Sequence, residues 1–390
     1  MRIAAAAVSA TLLLGIAPAH ADVPGYSDID DAWFSDAVHH VAVNNDWYAV
    51  DGDRFRPGRR TDRGEFASAV VAALGTEIGV DPELHFPDVA DDDPLYAAAN
   101  VATSQGWIRP RSDGRFAPAG NVKKRDMDRA LVLALGLAEA AGGLRALATA
   151  DGGRLALPPG FAYLVLADNL HLHFNHASPT ERQELYPSES VRRRDAAYAL
   201  SMAIDARGSW MLWEAQRFTD IVLPKMNDTR REVLEFALAY AGWPYVYAGE
   251  WYRETPDGYC CGPQKQGGFD CSGFMWWVLA EPQFGFDNTH VRPYSGWPLR
   301  ERRASYMAER VRDNRVTFDD LKPADGIFYD TDGSGGSSPG WRHIDHGGIY
   351  LGNGWMIHSS GSRGGVTINW VGRDSWWSPH FVWGRRIVKN

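Results

Sequence analysis

The first half of this 390-residue chain repeats itself, and a repeat of this kind leaves few folds open. Phe55-Arg56-Pro57 leads into Thr61-Asp62-Arg63-Gly64-Glu65-Phe66 and an Ala/Val/Leu-rich run. Phe116-Ala117-Pro118 leads into Val122-Lys123-Lys124-Arg125-Asp126-Met127 and a second run, Tyr186-Pro187-Ser188 into Val191-Arg192-Arg193-Arg194-Asp195-Ala196 and a third. Each cap carries an acidic residue, Glu65, Asp126 or Asp195, where a carboxylate meets the open N–H groups of a helix start. Earlier helices are predicted over 33–44, introduced by Tyr26-Ser27-Asp28-Ile29-Asp30, and over 95–105, introduced by Phe86-Pro87-Asp88-Val89. The third unit lacks a clear entry of this sort. Units at about 26–75, 86–138 and 155–205 thus read as helix pairs, none able to bury its apolar face alone, that stack into one all-α body.

An F-x-D-(V/I) entry, a helix, an F-x-P turn and a capped second helix together resemble S-layer homology repeats. The resemblance implies a helical prism that binds an anionic secondary cell-wall polymer, the basic residue of each cap facing the ligand; those positions are Arg63, Lys124 and Arg193. Cations beside the N–H groups of helix N-termini make an anion site. The competing reading of the same charges is a set of solvated helix-start residues. His171, His173 and His176 in the third unit offer imidazoles, but no carboxylate or cysteine completes a ligand set, so neither metal nor cofactor is predicted.

The second half is organised around one thiol. Phe269-Asp270-Cys271-Ser272-Gly273-Phe274 sets a cysteine among small, helix-starting neighbours. Far downstream come Asp345-His346-Gly347-Gly348-Ile349-Tyr350-Leu351 and Trp355-Met356-Ile357-His358, joined by Gly352-Asn353-Gly354, which reads as a hairpin turn. His346 and His358 therefore fall on neighbouring strands of one sheet. A thiol is a poor nucleophile at neutral pH unless an imidazole takes its proton and a third polar group holds that imidazole in one tautomer. A lone cysteine is more often an inert small hydrophobe; the paired histidines are what favour acyl-transfer chemistry.

These segments resemble the NlpC-type cell-wall cysteine peptidases over roughly residues 229–388. Ala241-Gly242-Trp243-Pro244-Tyr245-Val246-Tyr247-Ala248-Gly249 is similar to that family's G-x-P-Y-x-(W/Y)-G-G segment, and Leu321-Lys322-Pro323-Ala324-Asp325-Gly326 to its L-K-P-G-D lead-in. The resemblance implies a papain-like α+β domain that cuts peptidoglycan stem peptides, with Cys271 as nucleophile, His346 as general base and His358 as the orienting residue. It also implies that Tyr245 borders the cleft and adds a hydroxyl to the oxyanion site. Asp270 and Ser272 are expected, from adjacency, to meet polar groups of the stem peptide. A helix from Cys271 to Leu279 is expected to lower the thiol pKa and to offer a backbone N–H to an oxyanion. A helix over 230–241 and strands around 326–329, 347–351, 355–358 and 366–370 complete the domain. The stretch from Cys271 to His346 is longer than is usual in the family, with the excess in 281–312 and 330–343, which bears on substrate choice more than on reaction type.

Met1-Arg2, an apolar run from Ile3 to Ala17 and Ala19-His20-Ala21 form a secretory signal pattern, with cleavage expected after Ala21. No later segment is long and apolar enough to span a bilayer. Forty Lys+Arg face 49 Asp+Glu without a basic tail, which points away from nucleic acid. Three cysteines in an exported chain leave one unpaired. Cys260 and Cys261 have three courses open: a vicinal disulfide, a pairing of one with Cys271 that silences it, or two free thiols.

The predicted organisation is a signal peptide at 1–21, repeats at 22–206, a linker at 207–227 and the catalytic domain at 228–390. The function the resemblances imply is that of a secreted, wall-associated endopeptidase acting on the D-glutamyl to diamino-acid amide of stem peptides. The alternatives are a catalytically silent wall-binding surface protein and a papain-like amidase or acyltransferase acting on another substrate.

Overall fold

The computed structural model describes residues 26–29, 32–48, 52–176, 184–256, 258, 260–279, 302–309 and 314–388. The signal-peptide reading and the greater part of the stretch 281–312 lie outside these residues.

The N-terminal half is helical: α1 (Ser35–Val38), α2 (Arg63–Leu74), α3 (Tyr96–Ser104), α4 (Lys124–Ala134), α5 (Ala138–Arg145), α6 (Phe161–Asn169) and α7 (Arg193–Ala206). One turn of π-helix, His39–Val43, continues α1 through the segment where a single longer helix is predicted. Three repeated caps meet at a common centre through a closed ring of backbone hydrogen bonds. Thr61 N–H donates to Val191 C=O (3.0 Å), Val191 N–H to Val122 C=O (2.9 Å) and Val122 N–H to Thr61 C=O (3.0 Å). In the first two units the entry aspartate closes the turn that follows. Asp28 accepts the N–H groups of Phe55 and Arg56, and Asp88 those of Phe116 and Ala117. Arg56 and Ala117 sit at φ 58° in each case, a conformation that two accepted N–H bonds help to hold.

The segment read as a linker contains a helix, α8 (Trp210–Gln216), and a 3₁₀ turn, Arg217–Asp220. Its Phe218 is buried and stacks on Trp355 at 4.7 Å, so the chain crosses between the halves while contributing to the core of both.

The C-terminal half opens with α9 (Asp228–Leu238) and a short ribbon of β1 (Glu250–Trp251) and β2 (Gly268–Phe269). Next come α10 (Cys271–Leu279), α11 (Ala304–Glu309) and strands β3 (Arg315–Val316), β4 (Gly326–Tyr329), β5 (His346–Gly352), β6 (Trp355–Ser360), β7 (Gly365–Trp370) and β8 (Phe381–Arg385). The last six strands form one antiparallel sheet in the order β3-β8-β4-β5-β6-β7. β8 pairs with β4 from the far end of the chain, a partner no local pattern announces. The hairpin between β5 and β6 turns at Asn353 (φ 49°) and Gly354 (φ 80°), the left-handed pair that a tight Asn-Gly turn requires.

Every residue of α10 after Cys271 is buried, as are all of those in α6, so both are central helices. α10 packs on β5 and β6, while α6, from the N-terminal half, packs on β7. One continuous apolar core runs from Ile29 to Val388 through both halves.

Candidate active site

Cys271 sits at the first position of α10. The strap of residues 244–249 is laid over its approach: Val246 N–H donates to Phe269 C=O (3.2 Å), Phe269 N–H to Pro244 C=O (3.2 Å) and Asp270 N–H to Gly249 C=O (3.0 Å). Ser359 Oγ, on the strand that carries His358, donates to the same Phe269 carbonyl at 2.6 Å. The nucleophile's helix and the histidine hairpin are thereby tied to one point of the backbone.

The two histidines face each other across β5 and β6, with His346 Nε2 2.7 Å from His358 Nδ1. The fully buried His358 continues through Nε2 to Asn369 Oδ1 on β7, at 2.6 Å. Trp377 lies 5.2 Å, ring to ring, from both imidazoles and shields them. With Nε2 occupied, Nδ1 of His346 is the nitrogen left for a thiol. In this structure Cys271 Sγ lies 3.8 Å from the backbone oxygen of Asp345, the residue before His346.

Charges around the thiol oppose the helix end. Burial, and then the Asp270 carboxylate, push the Cys271 thiol up to about 12, against Arg302 and the N–H groups of Ser272 and Gly347. The expected lowering by the helix N-terminus is thus outweighed, because an end-of-helix dipole equivalent to about half a charge cannot offset desolvation plus an adjacent anion. Burial draws His346 down to about 4. It draws His358 well below the usual imidazole range, with His346 adding to the effect. At neutral pH the pair rests as thiol and imidazole.

Tyr245 lines the same cleft, and its hydroxyl pKa is raised by burial and then by the neighbouring Cys271 and Asp270. Asp270 and Ser272 turn onto Arg302. Asp270 Oδ1 accepts from Gly273 N–H (2.6 Å), Ser272 Oγ (3.1 Å) and Arg302 Nη1 (2.9 Å), while Arg302 Nη1 also reaches Ser272 Oγ at 2.7 Å. Nε of Arg302 donates to Glu250 (2.7 Å) and Nη2 to Gly249 C=O (2.7 Å), which leaves the buried guanidinium fully engaged. Gly273 is glycine for this reason: a Cβ there would strike the Gly249 carbonyl and the Arg302 head group.

Sequence reasoning places Cys271, His346, His358 and Tyr245 around one cleft; in the structure Cys271 and Tyr245 line it, while His346 and His358 are paired on β5 and β6 behind it, with His358 fully buried. It misses Arg302, Asn369 and Trp377. Arg302 belongs to the stretch set aside as an insertion, and no spacing rule links it to Asp270. The strand expected around 366–370 includes Asn369, and a polar residue within an otherwise apolar strand is the available signal.

The cleft is also lined by Tyr247, Tyr306, Ile344 and the Cys260–Cys261 pair, which is joined as a vicinal disulfide and leaves Cys271 free. Asp330, Asp332 and Asp345 gather beside it, yet their oxygens accept from nearby backbone N–H groups, including those of Thr331, Asp332, Ser334 and Gly335. The histidine triplet divides. His171 meets Arg363, His173 bridges Asp128 and Asp168, and His176 meets Glu184.

The three cap cations are buried in the N-terminal half. Nε of Arg63 donates to Phe116 C=O (2.8 Å), Lys124 Nζ lies 3.4 Å from Asp128, and Arg193 pairs with Glu65 and donates to Phe55 C=O. Arg63 borders a groove with Trp107, Arg109, Arg111, Arg125, Arg129 and one carboxylate, Asp126, and Lys124 borders a separate cavity with His173 and Glu184.

Residues 242–386 match the NlpC/P60 family. Gamma-DL-glutamyl hydrolase of Bacillus subtilis (strain 168) is 27% identical over 169 residues, 42% of this chain and 31% of that protein. The bifunctional muramidase/DL-endopeptidase CwlT of the same organism is 26% identical over 160 residues, 41% of this chain and 37% of that protein. The matched stretch thus spans about a third of these relatives. Among solved structures, the P60 domain of an antigen from M. avium subspecies paratuberculosis is 27% identical, with 42% of this chain and 96% of that one covered at a TM-score of 0.27.

Proposed function

We propose, for a chain whose residues 242–386 form an NlpC/P60 domain, that the protein is an exported peptidoglycan endopeptidase. Its substrate is the D-glutamyl to diamino-acid amide of stem peptides. One observation carries the reading: a part-exposed thiol at the start of a buried helix, lining an open cleft, with two hydrogen-bonded histidines placed behind it. In the reaction, Cys271 gives its proton to His346 Nδ1 as Sγ bonds to the scissile carbonyl carbon. The resulting oxyanion is met by the Tyr245 hydroxyl and the N–H groups at the start of α10. His346 then protonates the departing amine nitrogen as the C–N bond breaks. A water that loses its proton to His346 attacks the thioester, releasing the carboxylate and restoring the thiol. Asp270 and Ser272, both bound to Arg302, hold the helix start rather than the substrate.

The N-terminal repeats, similar to S-layer homology units, dock the enzyme on anionic wall polymer through the arginine groove. Arg109, Arg111 and Arg125 form no ion pair among the described residues, and anionic ligand oxygens are the complement that bidentate guanidinium groups favour. The test is digestion of purified peptidoglycan by the full chain and by Cys271→Ala, with fragments identified by mass spectrometry. A new amine terminus on the diamino acid, absent with Cys271→Ala, supports the proposal; equal digestion by both removes it.

A further inference from the structure

The line of hydrogen bonds behind the catalytic pair does not stop inside the catalytic half. Asn369, which meets His358, donates through Nδ2 to Asn169 Oδ1 at 2.7 Å, and Asn169 is the last residue of α6 in the N-terminal half. Both amides are buried. Asn169 Nδ2 is itself 2.9 Å from Val165 C=O, 2.9 Å from Ile368 C=O and 3.1 Å from Thr367 Oγ1.

Backbone carbonyls can only accept. The amide group of Asn169 that faces two of them must be its NH₂, since an oxygen there would confront two oxygens in a buried site. Everything downstream then has one polarity. Asn169 Oδ1 accepts, so Asn369 presents its NH₂ to Asn169 and its oxygen to His358. Nε2 of His358 carries the hydrogen, and its Nδ1 is left as acceptor. His346 Nε2–H donates to that acceptor, and His346 Nδ1 keeps the bare lone pair.

We infer that Asn169 is a positioning residue of the active site: helix α6 of the N-terminal half, acting through Asn369, sets the tautomer of both histidines and makes His346 Nδ1 the base. The inference rests on the reading of His346 as general base, and it makes the repeat region part of the catalytic apparatus rather than only an anchor.

Nitrogen-15 NMR of the histidines in the full chain at neutral pH tests it without reference to activity. The expected result is an unprotonated Nδ1 and a protonated Nε2 on both His346 and His358. A protonated Nδ1 on His346 overturns the inference, whether or not the protein cuts peptidoglycan. Absence of hydrolysis with the expected tautomers overturns the proposed function and leaves the inference standing. Asn169→Leu should keep a single cooperative melt and an unchanged KM, lose about 10- to 100-fold in kcat, and show mixed tautomers at His346. Unchanged kcat and tautomers in that variant would overturn the inference. Should Asn169→Leu not fold, Asn169→Ala, which removes the same amide without added bulk, carries the test by the same two readouts. Unchanged kcat and tautomers in it overturn the inference.

Discussion

A thiol held up to about 12 beside an imidazole held down to about 4 makes a neutral pair whose proton moves during attack, not before it. Activity then requires His346 to be unprotonated. The rate should hold as pH falls below the ordinary histidine range near 6.5 and decline only toward about 4, measured as kcat/KM on a soluble stem peptide. An acidic limb centred near 6.5 would mean that His346 is solvated rather than buried. Stability responds at the same residues in a related window. His346 and His358 both have depressed folded pKa values, so protons bind the unfolded chain first as pH falls. The contribution of His346 is fully present above about 6.5 and drains as pH drops toward about 4, by at most about 1.4 kcal/mol per pH unit, and that of His358 is lost in the same direction. Denaturant midpoints across that range would check it.

At the scale of the element, α10 owes its start to a single guanidinium. Arg302 neutralises Asp270 and Glu250 and also holds Ser272 and the Gly249 carbonyl, joining the helix cap to the strap. Arg302→Met would leave two largely buried carboxylates without their cation, a loss of about 3–5 kcal/mol in unfolding free energy. Arg302→Lys should recover little of it, because one ammonium cannot reproduce the planar fork. A midpoint within error of the parent for Arg302→Met would show that the cap stands without it. The β5–β6 hairpin is the counterpart: its Asn-Gly turn and its apolar alternation agree with the tertiary fold, and so it was legible beforehand.

Across the whole molecule the two halves share one core, with α6 against β7 and Phe218 against Trp355. Calorimetry of the full chain should show one transition whose van't Hoff and calorimetric enthalpies agree; two separable transitions would mean that the halves fold independently. Wall binding is best measured on the intact Cys271→Ala chain for the same reason. Sedimentation with purified wall should weaken with salt and with Arg111→Glu or Arg125→Glu, both exposed positions in the groove. Binding indifferent to salt and to both substitutions would remove the arginine groove from the targeting role.

Local signals were sufficient for whatever depends on neighbours in the chain. The repeated caps, the helix beginning at Cys271, the Asn-Gly turn and the placing of His346 and His358 on paired strands all rest on propensity, period and turn chemistry, which act over a few residues. Only the tertiary structure could decide what those elements meet. Arg302 arrives on Asp270, Asn169 reaches Asn369 across the halves, and Lys124 and Arg193 turn inward to Asp128 and Glu65 instead of to solvent. Each of these follows from buried polar groups having to find partners wherever the packed chain supplies them, a demand that sequence spacing does not encode. The thiol's raised pKa has the same origin: the helix end is local and legible, whereas desolvation and the nearness of Asp270 exist only once the core has closed.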